Sequence, residues 1–359
     1  MRNRYIDLLR ALAIARVVVY HTTGWAVLTI AFPAMGVMFA LAGSLMAASL
    51  DTHGVRAVGR RIRRLLPPLW MTAALFVPAM LVSGLKLDHR LLLWLLPLND
   101  PPANGWGSLA LSVIWYLRDY LWFVLVSPLA LVLFRRFPVP MVLAPLALLG
   151  AIQLGLPANT VVADFGLYFG CWLLGFAHHD GMLARMPRPL LLGLAAACAL
   201  PGAAWFLTHP GPRGFDLNDI RLGDGLWTTG FVLVILGLAP PAASWVDRLA
   251  GVRRVVTVLN GRAVTIYLWH MPIVVGVTAV LIRYGLWHED ATGLALRLAI
   301  VVALVVLVVT MFGWVEDVAA RRKPVLVPGG RRIPAPRPVV RERMARPLTG
   351  STGQAVSAG

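Results

Sequence analysis

The chain has 359 residues, of which 58% are apolar and only 14% charged, with a mean hydropathy of +0.74. A soluble globular domain carries roughly 45–50% apolar and about 25% charged residues, so a soluble enzyme is excluded, and about ten spans of ~20 residues leave no room for a second large domain. Lysine and arginine outnumber aspartate and glutamate by 33 to 16, a net charge of +17. No basic-aromatic or zinc-binding motif accompanies that excess, so its meaning lies in where the charges fall along a membrane chain, and nucleic acid is not an expected partner.

Apolar runs bounded by Gly, Pro and charge clusters predict spans near 6–25, 26–50, 65–83, 109–134 and 139–156. Five more follow near 159–177, 189–208, 223–243, 263–283 and 292–314. The fold class is therefore an all-α polytopic membrane protein of about ten transmembrane helices. An even number of spans returns both termini to one side. Arg10 and Arg16 interrupt the first apolar run, which is read as a retained span and not as a cleaved leader. Basic clusters at Arg56 to Arg64, Arg135 and Arg136, Arg185 and Arg188, and Arg248 to Arg262 fall on the side of the N terminus, whereas Lys86, Arg90, Arg213, Arg221 and Arg283 fall on the other. This asymmetry predicts that both termini are cytoplasmic, in the inner membrane. The integral-membrane domain is taken as 1–317. The segment 318–359, rich in Arg, Pro and Gly, is expected to be a disordered cytoplasmic tail. Cys171 and Cys198 each lie in an apolar run, so they suggest neither a disulfide framework nor a metal box.

Charged and titratable residues inside a span cost free energy, which draws attention to Asp7, Arg10 and His21 on the first one. At about 100° per residue, the eleven steps from Arg10 to His21 end roughly 20° beyond three full turns, with a rise of about 16 Å. Both side chains are expected on one face, along a shared tunnel. Asp7, three residues before Arg10, is spaced to pair with it, while Arg16 lies about 120° away from Arg10. The alternative is an interfacial Asp7–Arg10 pair and a histidine that only hydrogen-bonds to a neighbouring helix. An imidazole in a weakly hydrated site stays neutral and can remove a proton from a hydroxyl. A carbonyl under attack also needs an oxyanion donor, which the sequence does not identify. The second cluster, Arg60, Arg61, Arg63 and Arg64, is placed on a cytoplasmic loop between spans two and three. It is either a phosphate-binding group or an ordinary positive-inside signal.

Ile6-Asp7-Leu8-Leu9-Arg10 with His21 resembles the first motif of the membrane-bound acyltransferase-3 family. Gly36 to Gly43, Arg60 to Pro67 with Trp70, Trp115-Tyr116-Leu117-Arg118-Asp119 through Pro128, and Tyr267-Leu268-Trp269-His270-Met271-Pro272 resemble its later segments in the family's order. The resemblance implies an O-acyltransferase that moves an acyl group, foremost acetyl, from acyl-CoA to a hydroxyl of a sugar, cell-envelope glycan or natural product. It makes His21 the catalytic histidine with Arg10 and Asp7 as motif partners, and Arg60, Arg61, Arg63 and Arg64 the donor-side residues. His270 and Tyr267 would line the donor path or hold the environment of His21. Trp115 is among the residues that could stack on an acceptor, and Arg118 and Asp119 are read as a buried ion pair. Acyl-CoA enters as a substrate, with no permanently bound cofactor and no metal. The rival class is a transporter or flippase of a glycolipid or small molecule, because many-span bundles with internal charges also describe carriers.

Overall fold

The structure, a computed structural model, describes residues 4–240 and 248–326. Among the described residues the secondary structure is helical: α1 (Arg4–Thr23), α2 (Val27–Ala31), α3 (Ala34–His53), α4 (Arg56–Val82), α5 (Gly105–Ala110), α6 (Ile114–Arg136), α7 (Pro138–Gln153) and α8 (Thr160–His179). They continue with α9 (Met182–Arg185), α10 (Arg188–Thr208), α11 (Arg221–Gly237), α12 (Ala250–Gly261), α13 (Ala263–Arg283), α14 (Ala291–Phe312) and α15 (Trp314–Ala319). A helix therefore stands at every predicted span. Among the described residues seven stretches are long and apolar enough to cross a membrane, with α7 a shorter apolar helix. The protein is an all-α polytopic membrane protein. Of the expected tail, 327–359 lies outside the described residues. Its first part continues through α15 to Val325, whose carbonyl accepts a hydrogen bond from the buried Arg262.

Two boundaries differ from the sequence reading, each for a local reason. The second predicted span is split: α2 ends where Phe32 turns extended ahead of Pro33, which cannot donate to a continuing ladder, and α3 starts afresh at Ala34. The arginine run is not on a loop. Only Gly54 and Val55 separate α3 from α4, and Arg60, Arg61, Arg63 and Arg64 occupy the first turns of the 27-residue helix α4. Arginine is a good helix former, and Pro67 and Pro68 are accommodated within the helix, as membrane helices allow.

The bundle is closed by small residues and an aromatic centre. A Cβ added to Gly175 of α8 would stand 2.1 Å from the Ala40 carbonyl oxygen of α3, and one at Gly43 would stand 2.2 Å from the Trp172 oxygen. Only glycine permits this approach of two backbones. Phe39 of α3 then reaches Tyr116 (4.7 Å between ring centroids) and Phe123 (5.0 Å) of α6, and Tyr168 of α8 (5.2 Å). At one end of the bundle Arg135 forks onto Asp51 (2.8 Å) and Asp180 (2.7 Å), tying the ends of α3, α6 and α8. The start of α4, with its arginines, lies at this basic end.

Candidate active site

At the opposite end, a cavity of about 480 Å³ is walled by α1, α6, α8, α11 and α13 and by the segments that precede several of them. Its lining includes Arg16, Tyr20 and His21 of α1, Trp115 and Arg118 of α6, Asp164 and Tyr168 of α8, and Tyr267 of α13. The path of the chain explains why polar groups gather there. Helix α1 stops two residues after His21, where Gly24 takes φ of +69° and its N–H bonds back to the Tyr20 carbonyl (2.7 Å).

His21 does not stand alone. The Nε2 of His270, a wholly buried residue, lies 3.2 Å from His21 Nδ1, and the ring centroids are 5.0 Å apart. His270 Nδ1 lies 2.7 Å from the Tyr267 carbonyl and 3.2 Å from that of Ile266. A carbonyl only accepts, so Nδ1 of neutral His270 carries the proton and its Nε2 presents a lone pair. His21 Nδ1 then faces two acceptors, this lone pair and the Val17 carbonyl at 2.9 Å, and must be the protonated nitrogen. His21 Nε2 is left as a bare lone pair. Among the described residues it has no protein partner. Two carbonyls on α13 thus set the tautomer of His270, and His270 with Val17 sets that of His21, in the form a general base requires.

Three further groups shape the cavity. Arg118, 1% exposed, donates to Asp119 (2.9 Å), to Asp100 (2.5 Å) and to Asp164, joining α6, α8 and the chain ahead of α5. Tyr20 donates to Asp216 (2.5 Å) and accepts from Arg213 and Asn218 (2.9 Å each), pinning the α10–α11 connection beside His21. In that connection the Arg213 guanidinium, forked onto Asp219, holds the Asp219 carboxyl below its usual range. Arg16 donates its Nε–H to the Leu28 carbonyl at 3.0 Å and lies over the Tyr20 ring, 4.8 Å from the centroid.

The matched residues sort by position. His21, Tyr267, Trp115 and Arg118 line the cavity, His270 backs His21, and Asp119 sits behind Arg118. Arg10 departs from the sequence reading: it is not among the residues that line the cavity with His21. It lies within electrostatic reach of Tyr116, and the buried rings of Tyr116, Tyr267 and His270 follow one another from there to His21, at 4.9, 5.6 and 5.0 Å. Asp7 pairs with Arg4 at 3.7 Å, so the predicted Asp7–Arg10 pair gives way to one a turn earlier. Of the basic run, Arg61 points inward, to the Leu45 carbonyl (2.8 Å), Ser49 (3.1 Å) and Tyr120 (3.5 Å), whereas Arg60, Arg63 and Arg64 are exposed.

Residues 3–314 match the family described as an acyltransferase domain, acyltransferase 3. The chain belongs to that family. Neither a curated protein nor a solved structure is detectably similar to it. Within this acyltransferase 3 chain, the residues that sequence reasoning missed are Arg16, Tyr20, Asp100, Asp164 and the Arg213 to Asp219 connection. Arg16 carries a signal, being a charge in the middle of a span, but its angle from Arg10 sets it apart from the motif face. The others meet through tertiary packing, and no spacing announces them. Asp51, His179 and Asp180 form a metal-like cluster at the basic end, but the Arg135 fork already occupies both carboxylates, placing a guanidinium where a cation would sit.

Proposed function

We propose that this acyltransferase is a cytoplasmic-membrane O-acyltransferase that transfers an acyl group, foremost acetyl, from acyl-CoA to a hydroxyl of a sugar, envelope glycan or natural product. The observation that carries the reading is the fixed tautomer of His21, which leaves Nε2 unprotonated on a residue that lines a cavity of about 480 Å³. That volume falls within the roughly 300–1,000 Å³ of small-molecule sites. Nε2 accepts the proton of the acceptor hydroxyl as its oxygen attacks the thioester carbonyl, and returns it to the departing CoA thiolate. In this reading the basic end is cytoplasmic, with both termini there, and the CoA nucleotide lies on Arg60, Arg63 and Arg64, whose forks suit phosphate oxygens. Arg61, Tyr120, Tyr116 and Tyr267 mark the route by which the thioester reaches His21, and the Tyr116 and Tyr267 rings must part for it to pass. The acceptor enters the cavity from the opposite side.

The test compares envelope sugars and secreted metabolites by mass spectrometry in cells with the protein, without it, and with His21→Ala. Acyl esters that depend on the protein and vanish with His21→Ala, at an unchanged level of membrane-inserted protein, are the expected result. Removing a general base costs about 10²–10⁴ in rate, so the variant should fall to the background of the cells without the protein. Normal ester levels in the variant refute the role of His21. Purified protein that moves a glycolipid across vesicles without consuming acyl-CoA refutes the reaction.

A further inference from the structure

Of the four arginines that line the cavity, Arg213 and Arg221 are exposed, and of the two that are not, Arg16 and Arg118, Arg16 is the one whose role the fold leaves open. Arg118 is held by three carboxylates and Arg213 by Asp219, each neutralised by close partners. Arg16 is half-buried within the first span, yet among the described residues no carboxylate oxygen comes within 4.0 Å of it. Asp216 and Asp224 act on it only at longer range. One of its five N–H donors is used, the Nε–H bonded to the Leu28 carbonyl at 3.0 Å. Together with the Tyr20 ring beneath it, that bond fixes the plane of the guanidinium. The two Nη groups, with four donors, have no protein partner among the described residues, and Arg16 lines the same cavity as His21. A guanidinium within a span without a paired carboxylate is costly, and such a residue is expected to serve the chemistry of its site.

We propose that Arg16 is a catalytic residue, the donor that stabilises the oxyanion of acyl transfer. The inference rests on the acyltransferase reading above. His21 Nε2 takes the proton of the acceptor hydroxyl while its oxygen bonds to the thioester carbon, and the carbonyl π pair moves onto oxygen. The Nη–H groups of Arg16 donate to that oxygen. When the pair returns, the C–S bond breaks and the thiolate takes the proton from His21, leaving an ester and CoA. The guanidinium is oriented before the reaction by Leu28 and Tyr20, so it need not reorganise as charge develops. The neutral carbonyl gains less from it than the oxyanion does, and the effect therefore falls on kcat more than on KM.

The experiment uses membranes containing the full-length protein and their endogenous acceptor, with radiolabelled acetyl-CoA as donor, and reads label transferred to the acceptor fraction. Arg16→Ala should lower kcat about 10²–10³-fold, the usual cost of one oxyanion donor, with KM for acetyl-CoA changed less than about three-fold. Guanidinium chloride, added at a concentration that leaves the wild type unaffected, should restore part of the kcat of Arg16→Ala, and Arg16→Lys should retain more activity than Arg16→Ala. A residue that merely fastens α1 to α2 would not give this rescue. The proposal is overturned if Arg16→Ala keeps wild-type kcat, if its loss lies in KM, or if neither guanidinium nor lysine recovers turnover. Absence of label transfer by the wild type refutes the acyltransferase reading, and the oxyanion role with it.

Discussion

If His270 sets the protonation of His21, its contribution can be separated from simple packing with two substitutions of similar bulk. His270→Phe fills the buried space but removes the lone pair that faces His21 Nδ1 at 3.2 Å. His270→Gln keeps an acceptor near the same place. When His21 takes the hydroxyl proton it becomes an imidazolium, and its Nδ1–H bond to His270 changes from a neutral to a charge-assisted one. Neutral bonds contribute about 0.5–1.5 kcal/mol and charged ones about 1.5–3 kcal/mol, so the transition state gains roughly 1–1.5 kcal/mol more from this contact than the ground state does. At about 1.36 kcal/mol per decade, that is close to a ten-fold fall in kcat for His270→Phe. The loss stays below that expected for His21→Ala because the Val17 carbonyl at 2.9 Å still orders the ring and its tautomer. His270→Gln should recover most of the loss.

The assay is acetyl transfer from labelled acetyl-CoA in membranes with matched amounts of inserted protein, over a range of donor concentrations. Unchanged KM with reduced kcat is the expected pattern. A His270→Phe variant as fast as the wild type, or a His270→Gln variant no better than the Phe one, refutes the argument from tautomer control. The carbonyls of Ile266 and Tyr267 lie within the turns of α13, so the Phe variant does not strand a backbone acceptor and its stability should remain close to that of the parent.

Two other predictions concern the scaffold. Gly175→Ala drives a methyl into backbone atoms, 2.1 Å from the Ala40 oxygen and 2.6 Å from the Ser44 nitrogen, so α3 and α8 must separate. Overpacking of this kind costs about 1–3 kcal/mol, read as a lower Tm of the detergent-solubilised protein, and an unchanged Tm refutes the close-approach argument. Asp219 is held below its usual carboxylate range chiefly by its hydrogen bonds to Arg213. A group whose pKa is lowered on folding contributes stability above its unfolded value, about 3.9 for aspartate, and loses it as pH falls through the folded value. Amide exchange across 211–220 should therefore be slow at pH 6 and accelerate below about pH 4 beyond the intrinsic chemical rate. Equal protection on both sides of that range sinks the prediction.

The all-α polytopic architecture was legible because a bilayer demands long apolar runs, and the breaks between them are written in Pro, Gly and charge. The arginine run was misplaced on a loop because basic residues at a span's edge look the same whether they precede a helix or begin one, and α4 begins at Arg56. His21 and Tyr267 were legible as site residues through the family motifs, and His270 was placed near His21 as one of two options. The geometry that gives His270 its work was not legible. It depends on α13 lying against α1, a contact between residues 249 apart in sequence.

Arg10 and Arg16 show where the helical wheel stops being informative. Periodicity states which residues of one helix share a face, and it placed Arg10 with His21 and set Arg16 apart. What each face meets is decided by neighbouring helices. On the Arg10 side, Tyr116 and Tyr267 fill the space with buried rings. On the side of Arg16, the break at Phe32 and Pro33 that separates α2 from α3 falls close to the Leu28 carbonyl that anchors the guanidinium. Met35, just past that break, lines the cavity together with Arg16 and His21. A cation therefore stays in the cavity because of where a neighbouring helix is interrupted. Burial cost gives the rule that the wheel lacks: a charge that lines the cavity and is not exposed needs a partner, and one whose partner the protein does not supply marks where a ligand or a developing charge belongs. By that rule Arg118, held by three carboxylates, belongs to the scaffold, and Arg16 belongs to the chemistry.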